Sequence, residues 1–207
     1  MLKRGFDILV SAVLLAVFLL PILLISLILI VTQGRPVLLR QRRPGYLERP
    51  FVLIKFRTMT TDPNELEAKD THTPDSARLT PVGRWLRETS LDELPTLWNV
   101  LMGDMSLVGP RPLLMHYLPL YDAEQKKRHL VRPGITGWAQ INGRNAVPWE
   151  ERLRMDVWYA ENRTFWLDVK ILIQTVFKTA AREGIVAPGE ATSAPFEGSS
   201  KKKGAEL

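Results

Sequence analysis

From Ile8 to Val31 the chain carries no charged side chain and is rich in Leu, Ile and Val. A helix of that length covers the hydrocarbon core of a bilayer, which needs about 20 residues. A cleavable signal peptide fits poorly, because the apolar stretch is too long and no small-x-small site precedes Gln33. Two features speak against a simple span. Pro21 falls mid-segment, where it removes a backbone hydrogen bond and kinks a helix. Basic residues flank both ends, Lys3 and Arg4 before and Arg35, Arg40, Arg42 and Arg43 after, so both ends meet the preference of Lys and Arg for the cytoplasmic side. A helix broken at Pro21 that re-emerges on its side of entry satisfies both. An ordinary kinked span is the competing reading, since proline is tolerated in spanning helices. No second hydrophobic stretch of that length follows residue 34, so the remainder is expected to be a membrane-attached globular domain.

Composition narrows the chemistry. At 207 residues the chain has room for one domain plus an appendage. The absence of cysteine excludes disulfides, thiolate metal sites and thiol catalysis. His72, His116 and His129 lack ligand spacing, which argues against a histidine metal site. The formal net charge of +6 favours an anionic partner: membrane phospholipid, nucleic acid or a phosphorylated substrate.

The acidic pair Asp92-Glu93 lies in Arg-Glu-Thr-Ser-Leu-Asp-Glu-Leu-Pro, residues 87 to 95, with apolar residues on both sides. Adjacent carboxylates in such a setting repel each other and resist desolvation, so something must compensate them. A divalent cation would do so, and a carboxylate beside a metal and a phosphate is a plausible nucleophile. The plainer reading is a capping box, with Ser90 as N-cap and Glu93 at N3 before a helix from Leu94 to Met102. The two are compatible, because a capped helix N-terminus also presents N–H groups to a phosphate.

Around the pair, Phe51 to Phe56 reads as a short buried strand holding Lys55. Thr60 to Ala77 reads as a polar, mobile loop. Thr80 as N-cap and Pro81 at N1 open a short helix that carries Arg84 and Arg87 towards the acids. Gly103-Asp104 ends the next helix. Ser106 to Val108 is extended and leads to Gly109-Pro110-Arg111-Pro112, where Pro110 and Pro112 clamp Arg111 on a rigid turn suited to a phosphate or ring-plane contact; a solvated loop arginine is the plainer view. Pro119 to His129 reads as a helix. The stretches Arg132 to Trp138 and Asn142-Gly143-Arg144-Asn145 are glycine-rich loops of the composition found where backbone approaches a nucleotide, though neither is a Walker A or dinucleotide fingerprint. A helix from Pro148 to about Asn162 holds Asp156 among Trp149, Trp158 and Tyr159. A last helix, Phe165 to Arg182, could lie in the membrane interface or pack on the core. The tail from Pro188 reads as loosely ordered.

Taken together, these segments resemble the small monotopic phosphoglycosyl transferases of the bacterial sugar transferase family. The matching blocks are Lys55-Phe56-Arg57-Thr58-Met59, Ser90 to Pro95 with Trp98-Asn99-Val100, Gly103 to Pro112, Arg132 to Gly137, Asn142 to Asn145, and Asp168 to Leu172. The tail residues Gly189 to Thr192, Phe196 and Gly198 look like the subgroup acting on bacillosamine-type sugars. The resemblance implies a mainly α fold with minor β: a proline-broken re-entrant membrane helix over residues 1–34, a compact catalytic domain with amphipathic helices at the membrane interface over 35–187, and the tail over 188–207. It places the chain on the cytoplasmic face of a bacterial inner membrane as a monotopic protein.

The resemblance also implies transfer of a phosphosugar from a UDP-sugar, expected to be an N-acetylated amino sugar, to polyprenyl (undecaprenyl) phosphate with release of UMP. Asp92 would be the nucleophile, and Glu93, with Asp92, would hold Mg2+. Lys55, Arg87, Arg111, Pro110, Pro112 and Arg144 are the candidate phosphate or nucleotide contacts; Asp156 and Asp168 could orient those cations or form ordinary salt bridges. One departure stands out: the family often has Ser before the bending proline, where this chain has Leu20. Two rival readings remain, a membrane-anchored glycosyltransferase that releases UDP and a non-catalytic basic module. Nucleic acid is not an expected partner.

Overall fold

The computed structural model describes residues 2–60, 78–143, 147–180 and 195–198. The apolar segment forms two helices, α1 (Leu2–Val17) and α2 (Leu19–Gln33), bent by 59° at Phe18. Neither helix alone is long and apolar enough to cross a membrane, whereas the bent pair together meets that length and composition. Pro21 lies in the first turn of α2 rather than at the bend itself. The displacement follows from the hydrogen-bond pattern: proline cannot donate to the carbonyl four residues back, at Val17, and its ring crowds that carbonyl. The helix therefore breaks one turn upstream, while Ile22 N still donates to Phe18 O at 2.8 Å.

Both feet of the bent pair are fastened to the domain. Arg4 donates through Nη1 to Val100 O at 2.5 Å and through Nη2 to Leu101 O at 2.8 Å. These carbonyls close α4 (Leu97–Met102), so a cation caps that helix's negative end. Lys3 Nζ reaches Asp168 Oδ2 at 2.5 Å and Val108 O at 3.2 Å. Asp7, buried, accepts from Leu107 N. At the other foot, Arg57 Nη2 donates to the carbonyls of Gln33 and Gly34. Apolar packing follows the same division: Phe6, Val10 and Leu14 join the main core of Leu53, Leu97, Val100, Met105, Leu107, Val108 and Ile171, while Ile25 and Leu29 pack with Phe56 and Leu86 in a second cluster.

The expected strand over residues 51–56 is β2 (Pro50–Phe56). Its partner β1 (Leu38–Pro44) pairs antiparallel, with Leu39 opposite Lys55 and Pro44 opposite Pro50. The run Leu-Leu-Arg-Gln-Arg-Arg-Pro offers little apolar alternation, so β1 reads in sequence only as a basic flank. β3 (Ser106–Val108) and β4 (Gly134–Thr136) form a second, parallel pair. The stretch expected to be wholly loop at 132–138 thus holds a strand. Its close approach requires glycine: a Cβ on Gly134 would lie 2.0 Å from Gly109 N.

The helix α3 (Pro81–Glu88) starts as expected, with Thr80 Oγ1 accepting from Gly83 N at 2.9 Å. Gly83 lets it sit against the chain, since a Cβ there would meet Thr58 O at 1.8 Å. The expected helix over 119–129 is instead two 3-10 turns, Met115–Leu120 and Gln125–Leu130. Pro119 cannot serve in the interior of an α-helix, and Asp122 initiates a separate turn by accepting from Gln125 N. A four-residue helix α5 (Trp138–Ile141) precedes α6 (Trp149–Asn162) and α7 (Phe165–Ala180). On α7, Ile171 is buried while Trp166, Ile173, Val176 and Phe177 are exposed, so one helix serves the core with one face and offers an apolar surface with another. The described residues are mainly helical with two small sheets. Arg144, most of the loop expected over Thr60 to Ala77, and Gly189 to Thr192 lie outside the described residues.

Candidate active site

Ser90 has left-handed backbone angles, φ 57° and ψ 14°, and its side chain makes no cap hydrogen bond. The capping box is therefore not formed. The chain turns sharply at Ser90 into a 3-10 helix, Leu91–Thr96, that runs into α4. Pro95 has no N–H to donate to the Leu91 carbonyl, so an α-helix begun at Leu91 would lack that bond. The turn is pinned to β2 from below: Thr96 Oγ1 donates to Ile54 O at 2.8 Å, Asn99 Nδ2 donates to Val52 O at 2.7 Å, and Ile54 N donates to Asn99 Oδ1 at 3.0 Å. These bonds fix Asp92 and Glu93 against the strand that carries Lys55.

The charges converge around Glu93. Its Oε1 accepts from Arg111 Nη2 at 2.9 Å and from Lys55 Nζ at 3.3 Å. Lys55 Nζ stands 3.9 Å from Asp92 Oδ2. Arg87 is held on the far side by its Nε–H, which donates to Thr58 Oγ1 at 2.9 Å, and its charge also acts on Asp92. Asp92 is only 7% exposed and accepts no direct hydrogen bond among the described residues. Burial, and next the charge of Glu93, push its carboxyl up to about 6 against the pull of Lys55, Arg111 and Arg87. Burial acts upward on Glu93 too, but Arg111 and Lys55 outweigh it and hold that carboxyl down at about 2. One acid is thus locked as an anion by its partners, and its neighbour keeps a carboxylate whose nearest cation, Lys55, stands off at 3.9 Å.

Pro110 and Pro112 are buried on either side of Arg111, whose side chain is half-exposed. Asp156 does not reach the acidic pair. It forms a buried ion pair with Arg128, Nη2 to Oδ2 at 2.7 Å, and the same Nη2 donates to Arg111 O at 2.7 Å. Asp156 therefore acts on the backbone of Arg111 through one intermediary. Asp168 lies away from the pair, between Lys3 and the Tyr159 hydroxyl. Sequence reasoning missed Arg128, Thr58 and Asn99. Arg128 sits in Lys-Lys-Arg-His, which reads as a solvated charge run, and only the need of buried Asp156 for a cation could have signalled it.

Among the described residues no group of three or more His, Cys, Asp or Glu side chains gathers as a metal cage. The acidic pair alone supplies two carboxylates, an incomplete oxygen set of the kind with which Mg2+ is held beside substrate phosphates.

Residues 1–182 match the bacterial sugar transferase family. The chain is 52% identical over 198 residues to EpsL, an uncharacterized sugar transferase of Bacillus subtilis (strain 168), covering 96% of each chain. It is 41% identical over 188 residues to the UDP-glucose:undecaprenyl-phosphate glucose-1-phosphate transferase of Escherichia coli (strain K12), covering 86% of this chain and 40% of that one. It is 38% identical over 182 residues to the UDP-N-acetylgalactosamine-undecaprenyl-phosphate N-acetylgalactosaminephosphotransferase of Aeromonas hydrophila, covering 84% of this chain and 43% of the relative. The chain thus spans less than half the length of these two relatives named for a reaction. The match over nearly the whole chain makes this protein a member of the bacterial sugar transferase family.

Proposed function

We propose that this protein transfers a sugar 1-phosphate from a UDP-sugar to undecaprenyl phosphate, through an aspartyl-phosphosugar intermediate on Asp92. The observation that carries this reading is the division of labour in the acidic pair: Glu93 is bound by Lys55 and Arg111, whereas buried Asp92 accepts no direct hydrogen bond among the described residues. An anion poised among cations but not consumed by them is what a carboxylate nucleophile requires. A diphosphate resists attack because its oxygens are negative, and Lys55, Arg87 and Arg111 are the groups that would offset that charge.

In the first half-reaction an Asp92 carboxylate oxygen bonds to the sugar-bearing phosphorus. The bond from that phosphorus to the bridging oxygen breaks, and UMP leaves with the oxygen. In the second, an oxygen of the lipid phosphate bonds to the same phosphorus, and the Asp92 carboxylate is regenerated. Mg2+ would be held by Asp92 and Glu93, and when bound it supplies charge neutralisation on the donor phosphates.

We assign the bent pair α1–α2 as a re-entrant membrane element, with the domain on the cytoplasmic face. Support comes from the two fastened feet: Arg4 and Lys3 bind one end to the domain, and Arg57 binds the other. A lipid phosphate resides in the headgroup layer, so an enzyme seated there gains proximity that collision from solution lacks. The sugar is proposed to be an N-acetylated amino sugar, of the bacillosamine type that the tail resembles. The Aeromonas relative named for N-acetylgalactosamine is consistent with an acetamido donor.

The test is incubation with a panel of UDP-sugars, undecaprenyl phosphate and Mg2+, with the nucleotide product identified. UMP is expected, formed fastest with an acetamido donor. UDP would make the protein a glycosyltransferase in which the pair serves other ends.

A further inference from the structure

Away from the acidic pair a cavity of about 340 Å3 opens where the foot of α1, β3 and the turn between α6 and α7 meet. None of Lys55, Asp92, Glu93 or Arg111 lines it. Its walls carry four cations, Lys3, Arg4, Arg132 and Arg163, against two carboxylates, Asp7 and Asp168. Lys3 is matched by Asp168, and Arg4 spends both Nη groups on the carbonyls that close α4. Among the described residues Arg132 spends only its Nε, on Gly103 O at 2.8 Å. Arg163, exposed at the end of α6, pairs with no carboxylate among the described residues. On the inner wall Ser106 is 1% exposed and its Oγ has no hydrogen-bond partner among the described residues. A buried hydroxyl left without a partner is unfavourable, so a ligand that supplies an acceptor there removes that penalty. Two guanidinium groups with spare donors at the mouth and an unpaired hydroxyl within make a compact oxyanion receptor.

The geometry points to a second anion site, distinct from the acidic pair, that takes the phosphate group of a membrane lipid. The lipid source follows from what surrounds the mouth. Phe165 forms part of the wall, the adjacent Trp166 is 77% exposed, and Leu2, beside Lys3, is 71% exposed. An aromatic and an aliphatic side chain flanking cations is the combination that sits at a headgroup layer.

The experiment titrates the full-length protein, in a neutral detergent, with three probes: short-chain phosphatidylglycerol, short-chain diacylglycerol and inorganic phosphate. Binding is followed by calorimetry, so turnover plays no part. Phosphatidylglycerol is expected to bind saturably and diacylglycerol not to. Arg163→Gln should weaken phosphatidylglycerol roughly tenfold and Ser106→Ala a few-fold, whereas Lys126→Gln, which removes an equal charge at another exposed position, should change nothing. Equal weakening by Arg163→Gln and Lys126→Gln would reduce the effect to overall charge and overturn the site. Binding of inorganic phosphate as tight as that of phosphatidylglycerol would overturn the lipid assignment in favour of a free anion.

Discussion

Burial and the charge of Glu93 push Asp92 up to about 6, while Arg111 and Lys55 hold Glu93 at about 2. A nucleophilic carboxylate must be ionised, so kcat/KM, which reports the free enzyme, should fall as pH drops through about 6; a kcat/KM profile flat down to pH 5 would remove Asp92 from that role. The same shift has a stability consequence whose sign is fixed. With the folded value above the ordinary carboxylate value of 3.8, the folded state holds its proton longer than the unfolded chain, and stability declines as pH rises from about 4 to 6. Asp92→Asn should therefore abolish turnover yet raise the melting temperature by a few degrees at pH 7.5 in chelator, with little gain at pH 4.5. A loss of stability at neutral pH would contradict the placement of Asp92. The pair itself was legible in the sequence, because adjacent acids among apolar residues demand compensation. Its backbone was not: Ser90-x-x-Glu93 signals a cap, and only the left-handed Ser90 and the docking on β2 exclude one.

At the scale of elements, the ends of helices marked by Thr80-Pro81, Gly103 and Pro148 stand within a residue of where local chemistry puts them. Of the paired elements, β2 and β3 were readable and their partners were not. β1, one short turn before β2, lacks the apolar alternation that marks a strand, and β4 takes its form from β3 across a gap that no local pattern spans. The Arg128–Asp156 pair is equally non-local and carries a prediction. Asp156→Asn leaves a buried guanidinium without its counter-ion, which costs about 3–5 kcal/mol. The melting temperature should drop by roughly 10 °C, and the Arg111 turn, which Arg128 steadies through its carbonyl, should lose donor affinity as well. An unchanged melting temperature would show that the pair is expendable.

For the whole molecule, the proposed re-entrant topology means that both ends of α1–α2 share one side of the membrane. The absence of native cysteine makes this directly measurable. Single cysteines at Gly5 and at Glu124 should react with an impermeant maleimide from the cytoplasmic side only, and one at Leu20, beside the bend, should be protected from both. Labelling of Gly5→Cys from the periplasmic side alone would make the pair a true span. Chelation should stop turnover at every donor concentration, and Mg2+ should restore it.

Most directly, rapid quench of the enzyme with its UDP-sugar and Mg2+ but no lipid acceptor, under conditions that preserve acid-labile esters, should yield a polypeptide heavier by one phosphosugar. Fragmentation should place the added mass on Asp92. If the quenched polypeptide stays unmodified while the complete reaction yields lipid-linked product at its normal rate, the nucleophilic assignment is wrong.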